Sequence, residues 1–458
     1  MSISTVNPTT GETVQEFEPH GADEVERRIA ETHAAAQALR GTTYAERAQW
    51  MHTAAALLEA DVDNGARVLT LEMGKPLAQA RAEVLKCVKA MRFYADNAEH
   101  FLADEPLADP SVVGASSAHT RYQPLGVVLA VMPWNYPFWQ VIRFAAPALM
   151  AGNAGLLKHA SNVPQSAMYL DDLFDKAGFP TGSFRALLIG SREVEPVIVD
   201  DRIKAVTLTG SEPAGRAVAA TAGREIKKVV LELGGSDPFI VMPSADLEAA
   251  AATAVNARTL NNGQSCIAAK RFIVHADVYD AFARIFVEKM ASLKLGDPFD
   301  ESVQIGPLAT SNGRDEIAEL VDDAVARGAR VLTGGRAPER PGWFYEPTVI
   351  DQLPDEARLV REEAFGPVAS LYRVADREEA VRIANQTTFG LSSAVWTADA
   401  AEQDWFIDAL EAGAVFVNGM TVSYPELPFG GIKDSGFGRE LAAVGIREFT
   451  NLKTVWKA

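Results

Sequence analysis

From residue 126 to residue 233, short apolar runs alternate with helical stretches, and no other feature of the chain restricts its fold as strongly. Residues 126–132 read as a strand, 138–151 as a helix, 154–158 as a strand and 164–176 as a helix. Strands at 185–189, 205–209 and 229–233 follow, each succeeded by glycine or a helix. Strands joined through helices pair in parallel, so the pattern predicts a doubly wound α/β sheet. Ligands of such sheets bind where strands end and helices begin. That rule singles out Trp134 and Asn135, Lys158, Gly210 and Ser211, and Glu232.

A second α/β series begins after Gly234 and Gly235: a strand at 239–242, helices at 246–260, 279–293 and 312–327, and strands at 331–333 and 414–417. With 458 residues the chain exceeds the roughly 250–300 that one core serves, so two lobes are expected. Residues 21–100 show apolar side chains at helical spacing in three segments, marked by Val25 and Ile29, by Met51, Ala55 and Leu58, and by Val84, Val88 and Met91. Residues 105–125 change to Pro, Ser, Val and Thr and read as an extended ribbon, either an arm toward another subunit or a surface hairpin.

Charge narrows the function classes. Forty-three basic against 61 acidic side chains give a net charge of −18, which repels nucleic acid and anionic membranes. The start carries no basic-then-apolar leader, and no run reaches the ~18 apolar residues of a membrane span, so a cytoplasmic protein is expected. Two cysteines make no disulfide framework, and neither a Cys-x-x-Cys pair nor a His-rich cluster suggests a metal. Cys87 falls in a helical pattern and reads as core.

Cys266 is different. The polar run Asn261, Asn262, Gly263, Gln264, Ser265 precedes it and the apolar run Phe272, Ile273, Val274 follows, which places the thiol near a loop. It is either a nucleophile or a small buried hydrophobe. Glu232 ends an apolar strand and is either a partly buried base or a solvent-facing charge. Asn135 has an amide that can donate to an oxyanion or hold a turn. Gly210 and Ser211 open a helix with Pro213 in its first turn, an arrangement that offers amides to phosphate, though the spacing is not the usual dinucleotide fingerprint. Lys158 ends a strand and can meet a ribose or phosphate, or simply water.

These residues belong to longer motifs: Trp134-Asn135-Tyr136-Pro137, Leu157-Lys158, Thr209-Gly210-Ser211 with Gly215, Leu231-Glu232-Leu233-Gly234-Gly235, Gly263-Gln264-x-Cys266, Glu362-Glu363-x-Phe365-Gly366-Pro367 and Pro428-Phe429-Gly430-Gly431. In this order, and across essentially the whole chain, they resemble the NAD(P)-dependent aldehyde dehydrogenase superfamily. The resemblance implies two doubly wound α/β domains and a small β oligomerisation arm. Residues 1–104 and 126–233 would bind the cofactor, 234–430 would form the catalytic domain, and 105–125 with 431–458 would supply the arm and tail of a homodimer or homotetramer. It further implies Cys266 as nucleophile, Asn135 with the Cys266 amide as oxyanion donors, and Glu232 as base. Trp134, Lys158, Gly210, Ser211, Gly215, Glu363 and Phe365 would line the cofactor site.

Many NAD-preferring relatives carry a glutamate three residues after the lysine, where this chain has Ser161. A neutral hydroxyl leaves room for a 2′-phosphate, so NADP is expected, with NAD possible. Arg143 and Ser423 align with carboxylate-binding residues of succinate-semialdehyde dehydrogenases, and Ile-Ala-Ala-Lys-Arg after Cys266 is similar to their shorter bacterial branch. Two positions depart from some members of that group. Leu260 stands where a second arginine occurs, and Ala268 where a redox-partner cysteine occurs. The expected activity is oxidation of succinate semialdehyde. The alternatives are another semialdehyde or broad aliphatic aldehydes, and a catalytically silent protein on the same fold.

Overall fold

The computed structural model describes residues 3–458. A six-stranded sheet has the spatial order Gly436–Phe437, Lys228–Glu232, Ile203–Thr209, Val127–Met132, Ala154–His159, Phe184–Ala186. All of its pairs are parallel except the edge strand Gly436–Phe437, which runs antiparallel to Lys228–Glu232. Helices cover both faces, which is why Val127–Met132 reads as an unbroken apolar run rather than an alternating one. The helix Trp139–Met150 is buried at all twelve positions, in keeping with its apolar residues on every side.

A seven-stranded sheet builds the second lobe, ordered Arg330–Thr333, Thr348–Asp351, Val368–Val374, Ala269–His275, Asp237–Val241, Ser393–Trp396, Val415–Val417. Only the Arg330–Thr333 pairing is antiparallel. Three of these strands, Thr348–Asp351, Val368–Val374 and Ser393–Trp396, are not marked by the pattern read above. Thr348–Asp351 and Ser393–Trp396 have four residues each, too few to establish a period, and the seven-residue Val368–Val374 is buried without alternation over its first four positions. The six- and seven-stranded sheets thus bear out the doubly wound α/β class.

The helical lead-in contains four helices, not three: Ala22–Leu39, Tyr44–Ala60, Val62–Met73 and Leu77–Phe101. The extra one is separated from its predecessor only by Asp61, and it carries Gly65, where a β-carbon would lie 3.2 Å from the Phe138 ring. A glycine inside a helix lowers its apparent propensity while allowing this close packing.

Residues 105–125 contain two strands, Glu105–Pro106 and Ser117–Pro124, with a short 3-10 turn between them. Ser117–Pro124 pairs along its whole length with the chain's last strand, Thr450–Lys457. Leu452 and Trp456 on that strand, and Val112 and Val113 beside it, are exposed. Among the described residues no helix is long and apolar enough to cross a membrane.

Candidate active site

Three successive left-handed residues shape the loop that carries Cys266. Asn261, Asn262 and Gly263 have φ of 60°, 57° and 76°, a region asparagine tolerates better than most side chains. Each amide is also put to use. Asn262 Nδ2 donates to the carbonyls of Gly74 (2.8 Å) and Pro307 (2.9 Å), and its Oδ1 accepts from Gly306 N. Asn261 Nδ2 donates to the carbonyls of Asn135 (2.8 Å) and Gln264 (3.0 Å). Gly263 lies against Gly366 and Pro367, where a β-carbon would stand 2.5 Å from the Gly366 carbonyl carbon. The Gly-Gln-x-Cys and Phe-Gly-Pro motifs are therefore one packed unit.

Lys270 fixes the other side of the loop. Its ammonium donates to the carbonyls of Ser265 (2.8 Å) and Cys266 (2.6 Å) and pairs with Glu363 at 2.9 Å. Nothing in the sequence set Lys270 apart from an ordinary strand residue, yet it ties the thiol's loop to the Glu362–Pro367 segment.

Two cavities meet at Cys266. One, of about 580 Å³, is lined by Trp134, Asn135, Gly210, Ser211, Glu363 and Phe365; the other, of about 380 Å³, by Trp139, Arg143, Ser423 and Phe429, and Cys266 lines both. Burial pushes the thiol up to about 12, a rise that Lys270 opposes. Asn135 Nδ2 donates one hydrogen bond, to Gln264 O at 3.2 Å, which leaves its second N–H for another acceptor.

The larger cavity brings together Trp134, Gly210, Ser211, Glu363 and Phe365, five of the residues that the resemblance assigns to a dinucleotide. Ser211 is the N-cap of helix Glu212–Arg224, but its hydroxyl makes no capping bond. Hydroxyl and first-turn amides are both available to a phosphate. Gly215 lets this helix close on the strand end: a β-carbon there would meet Leu233 at 2.6 Å. Trp134 and Phe365 meet edge-to-face at 5.6 Å. Lys158 and Ser161 lie outside this cavity lining, at the end of strand Ala154–His159. Burial holds the Lys158 ammonium below its ordinary value, and Glu193 opposes that.

Glu232 lines neither cavity. Its carboxylate is buried, and neither oxygen has a hydrogen-bond partner. Burial first, and the Glu440 carboxylate second, raise its pKa well above the ordinary range. Around it stand Arg143 and, from the end of the chain, Gly430, Arg439 and Glu440. Arg143 is buried too, not a surface helix charge. Its Nε stands 2.5 Å from Glu440 Oε2 as an ion pair, its Nη2 donates to Thr209 Oγ1 at 3.2 Å, and its guanidinium lies 4.7 Å from the centre of the Phe429 ring. Sequence reading missed Glu440, because a lone glutamate before a short helix carries no local signal.

Comparison with known proteins matches this arrangement. A profile described as the aldehyde dehydrogenase family matches residues 1–455. A Mycolicibacterium paratuberculosis protein named succinate-semialdehyde dehydrogenase, NADP(+), is 63% identical over 457 residues, covering 100% of this chain and 97% of its own length. A Mycobacterium tuberculosis protein of the same name, numbered 1, is 62% identical over 458 residues and covers 100% of both chains. Among solved structures, succinic semialdehyde dehydrogenase from Streptococcus pyogenes in complex with NADP+ superposes with a TM-score of 0.96 at 35% identity, covering 99% of each chain. PnpE in complex with nicotinamide adenine dinucleotide superposes with a TM-score of 0.95 at 30% identity, covering 100% of this chain and 94% of its own. The profile match over residues 1–455 and relatives 62–63% identical along the whole chain show that the chain belongs to the aldehyde dehydrogenase family.

Proposed function

We propose that this chain oxidises succinate semialdehyde to succinate with NADP+, in the cytoplasm and as a homo-oligomer. The observation that carries the reading is the position of Cys266 on the wall of both cavities, where a thiol can meet an aldehyde from one side and a nicotinamide from the other. Relatives at 62–63% identity bear that activity in their names.

Cys266 gives up its proton to water and adds its sulfur to the aldehyde carbon, and the resulting oxyanion accepts from the free Asn135 N–H and the Cys266 backbone amide. When bound, the cofactor supplies the hydride acceptor. Cys266 then carries a thioester. Glu232, whose raised pKa suits it to hold and release a proton, activates the water that hydrolyses it. To reach that water its carboxylate turns from its buried position toward the junction. Arg143 and Ser423 face the substrate side and favour an aldehyde with a distal carboxylate.

Lys158, which has no ion pair or hydrogen bond among the described residues, and the neutral Ser161 suit a 2′-phosphate better than a bare ribose. Residues 1–104 with 126–233 form the cofactor side and 234–430 the catalytic side. The ribbon at 105–125 with the tail at 431–458, whose Leu452 and Trp456 are exposed, pairs with a second copy.

Initial rates with succinate semialdehyde, butyraldehyde and glutarate semialdehyde, each with NAD and NADP, test the proposal. The highest kcat/KM is expected for succinate semialdehyde with NADP. Equal values for butyraldehyde would remove the carboxylate from the reading, and a preference for NAD would remove Ser161 from cofactor choice.

A further inference from the structure

Of four cations on or next to the residues of the smaller cavity, only Arg143 and Lys86 line it, and all but Lys86 are answered by carboxylates. Lys75 pairs with Glu83, Lys89 with Glu426 at 2.7 Å, and Arg143 with Glu440 at 2.5 Å. The fourth is Lys86, which lines the cavity with Cys266 and has no carboxylate within ion-pair distance among the described residues. Its Nζ donates to Ser423 Oγ at 2.7 Å and stands 4.1 Å from the centre of the Trp139 ring. Burial, with Arg143 adding to it, pushes this ammonium down to about 7. An unanswered, partly desolvated cation on an otherwise apolar wall is costly unless an anion arrives to pair with it.

The placement of Lys86 is built, not incidental. Glu83 lies one turn earlier on the same helix, Leu77–Phe101, and its Oε1 accepts from the amides of Phe138 (2.9 Å) and Trp139 (3.0 Å). That contact seats the start of helix Trp139–Met150 against Lys86. Ser423 Oγ accepts from Lys86 and also from Trp139 Nε1 at 3.1 Å. With its acceptor capacity taken, the serine hydroxyl proton is left to donate.

We infer that Lys86 is a substrate-binding residue, whose ammonium and the Ser423 hydroxyl hold the distal carboxylate of the aldehyde beside Arg143. This rests on the reading of the cavity as the site of a carboxylated aldehyde. It also answers the absence of a second arginine at Leu260, because the additional cation enters from a different helix.

The test is steady-state kinetics of Lys86→Gln, Lys86→Met and Lys86→Arg with succinate semialdehyde and butyraldehyde, with inhibition by succinate as a second readout. Losing a charge-assisted hydrogen bond predicts a fall of about tenfold or more in kcat/KM for succinate semialdehyde in Gln and Met, carried by KM, with butyraldehyde changed less than about twofold. Succinate should weaken as an inhibitor in parallel, and Arg should restore most of the loss. Met keeps the stem over Trp139 and removes the desolvated charge, so its melting temperature is expected not to fall. If the parent enzyme discriminates between the aldehydes and the variants lose both equally, or lose neither, the assignment of Lys86 is overturned alone. If the parent enzyme does not discriminate, the reading of the substrate falls and takes the assignment with it.

Discussion

Gly430 and Glu232 share a space that admits no further carbon. A β-carbon at Gly430 would stand 2.7 Å from Glu232 Oε1 and 2.8 Å from the Gly438 carbonyl oxygen, at a φ of +152°. Gly430→Ala is therefore expected to obstruct the carboxylate's movement. Thioester breakdown should slow by about tenfold or more, in the range typical for loss of a general base. Rapid-mixing measurements should show a retained burst of cofactor reduction followed by a slower steady state; a lost burst would place the damage at Cys266 instead.

The thiol predicts a pH profile. Because burial pushes Cys266 up to about 12, the cofactor-free enzyme holds almost no thiolate near neutrality. Alkylation by iodoacetamide should rise about tenfold per pH unit from pH 7 to 10 with no plateau, since thiolate fraction sets the rate. Peptide mapping should find the label on Cys266 and none on the fully buried Cys87. A plateau near pH 8 would mean an activated thiolate already exists without cofactor.

Lys86 makes selectivity itself depend on pH. Its neighbours are Glu83, Cys87 and Lys75 on or near its own helix and Arg143 on the facing one, and its pKa lies at about 7. The ammonium is present below that value and lost above it. The ratio of kcat/KM for succinate semialdehyde over butyraldehyde should be highest below pH 7 and decline above it. In Lys86→Arg the ratio should stay flat, because guanidinium does not titrate in this range.

Much of this site is legible along the chain, and the limits have physical reasons. The glycines of residues 234–235, 263 and 430–431 stand in short motifs because the close approaches they permit leave no alternative residue. Cys266, Asn135 and the Gly210–Ser211 turn are likewise local signals at strand or helix ends. Lys86 is not, since on its helix Leu85 points outward at 47% exposure while the lysine turns inward, the reverse of what amphipathic spacing suggests. Glu440 acts through Arg143, Lys270 through Glu363, and Glu83 through the amides of Phe138 and Trp139, all distant in sequence, so no spacing announces them. The left-handed backbone of Asn261 and Asn262 is visible only once the loop is closed.

Lys270 should matter to stability as much as to rate. Lys270→Met leaves Glu363 and two loop carbonyls without their cation, and breaking a buried pair by removing one partner costs about 3–5 kcal/mol. Lys294→Met, which breaks an exposed pair with Asp300, should cost no more than about 1 kcal/mol. Denaturant midpoints of the two variants make the comparison.

Arg143 serves two partners, and a double mutant separates them. Arg143→Ala strands the buried Glu440 and is expected to cost about 3–5 kcal/mol of stability. Adding Glu440→Gln should recover part of that stability, because no uncompensated charge remains. Recovery of succinate semialdehyde affinity along with it would show that Arg143 acts only by holding Glu440.

The edge strand Gly436–Phe437 and the last strand, Thr450–Lys457, attach to sheets whose other members were laid down hundreds of residues earlier. Of the groups around Glu232 outside its own sheet, Arg143 comes from the helix Trp139–Met150, while Gly430, Arg439 and Glu440 arrive only with the end of the chain. The same end of the chain supplies Asp434 to the larger cavity and Ser423 and Phe429 to the smaller one, so the enclosure of the base and the walls of both cavities are completed together, by the last residues to be made.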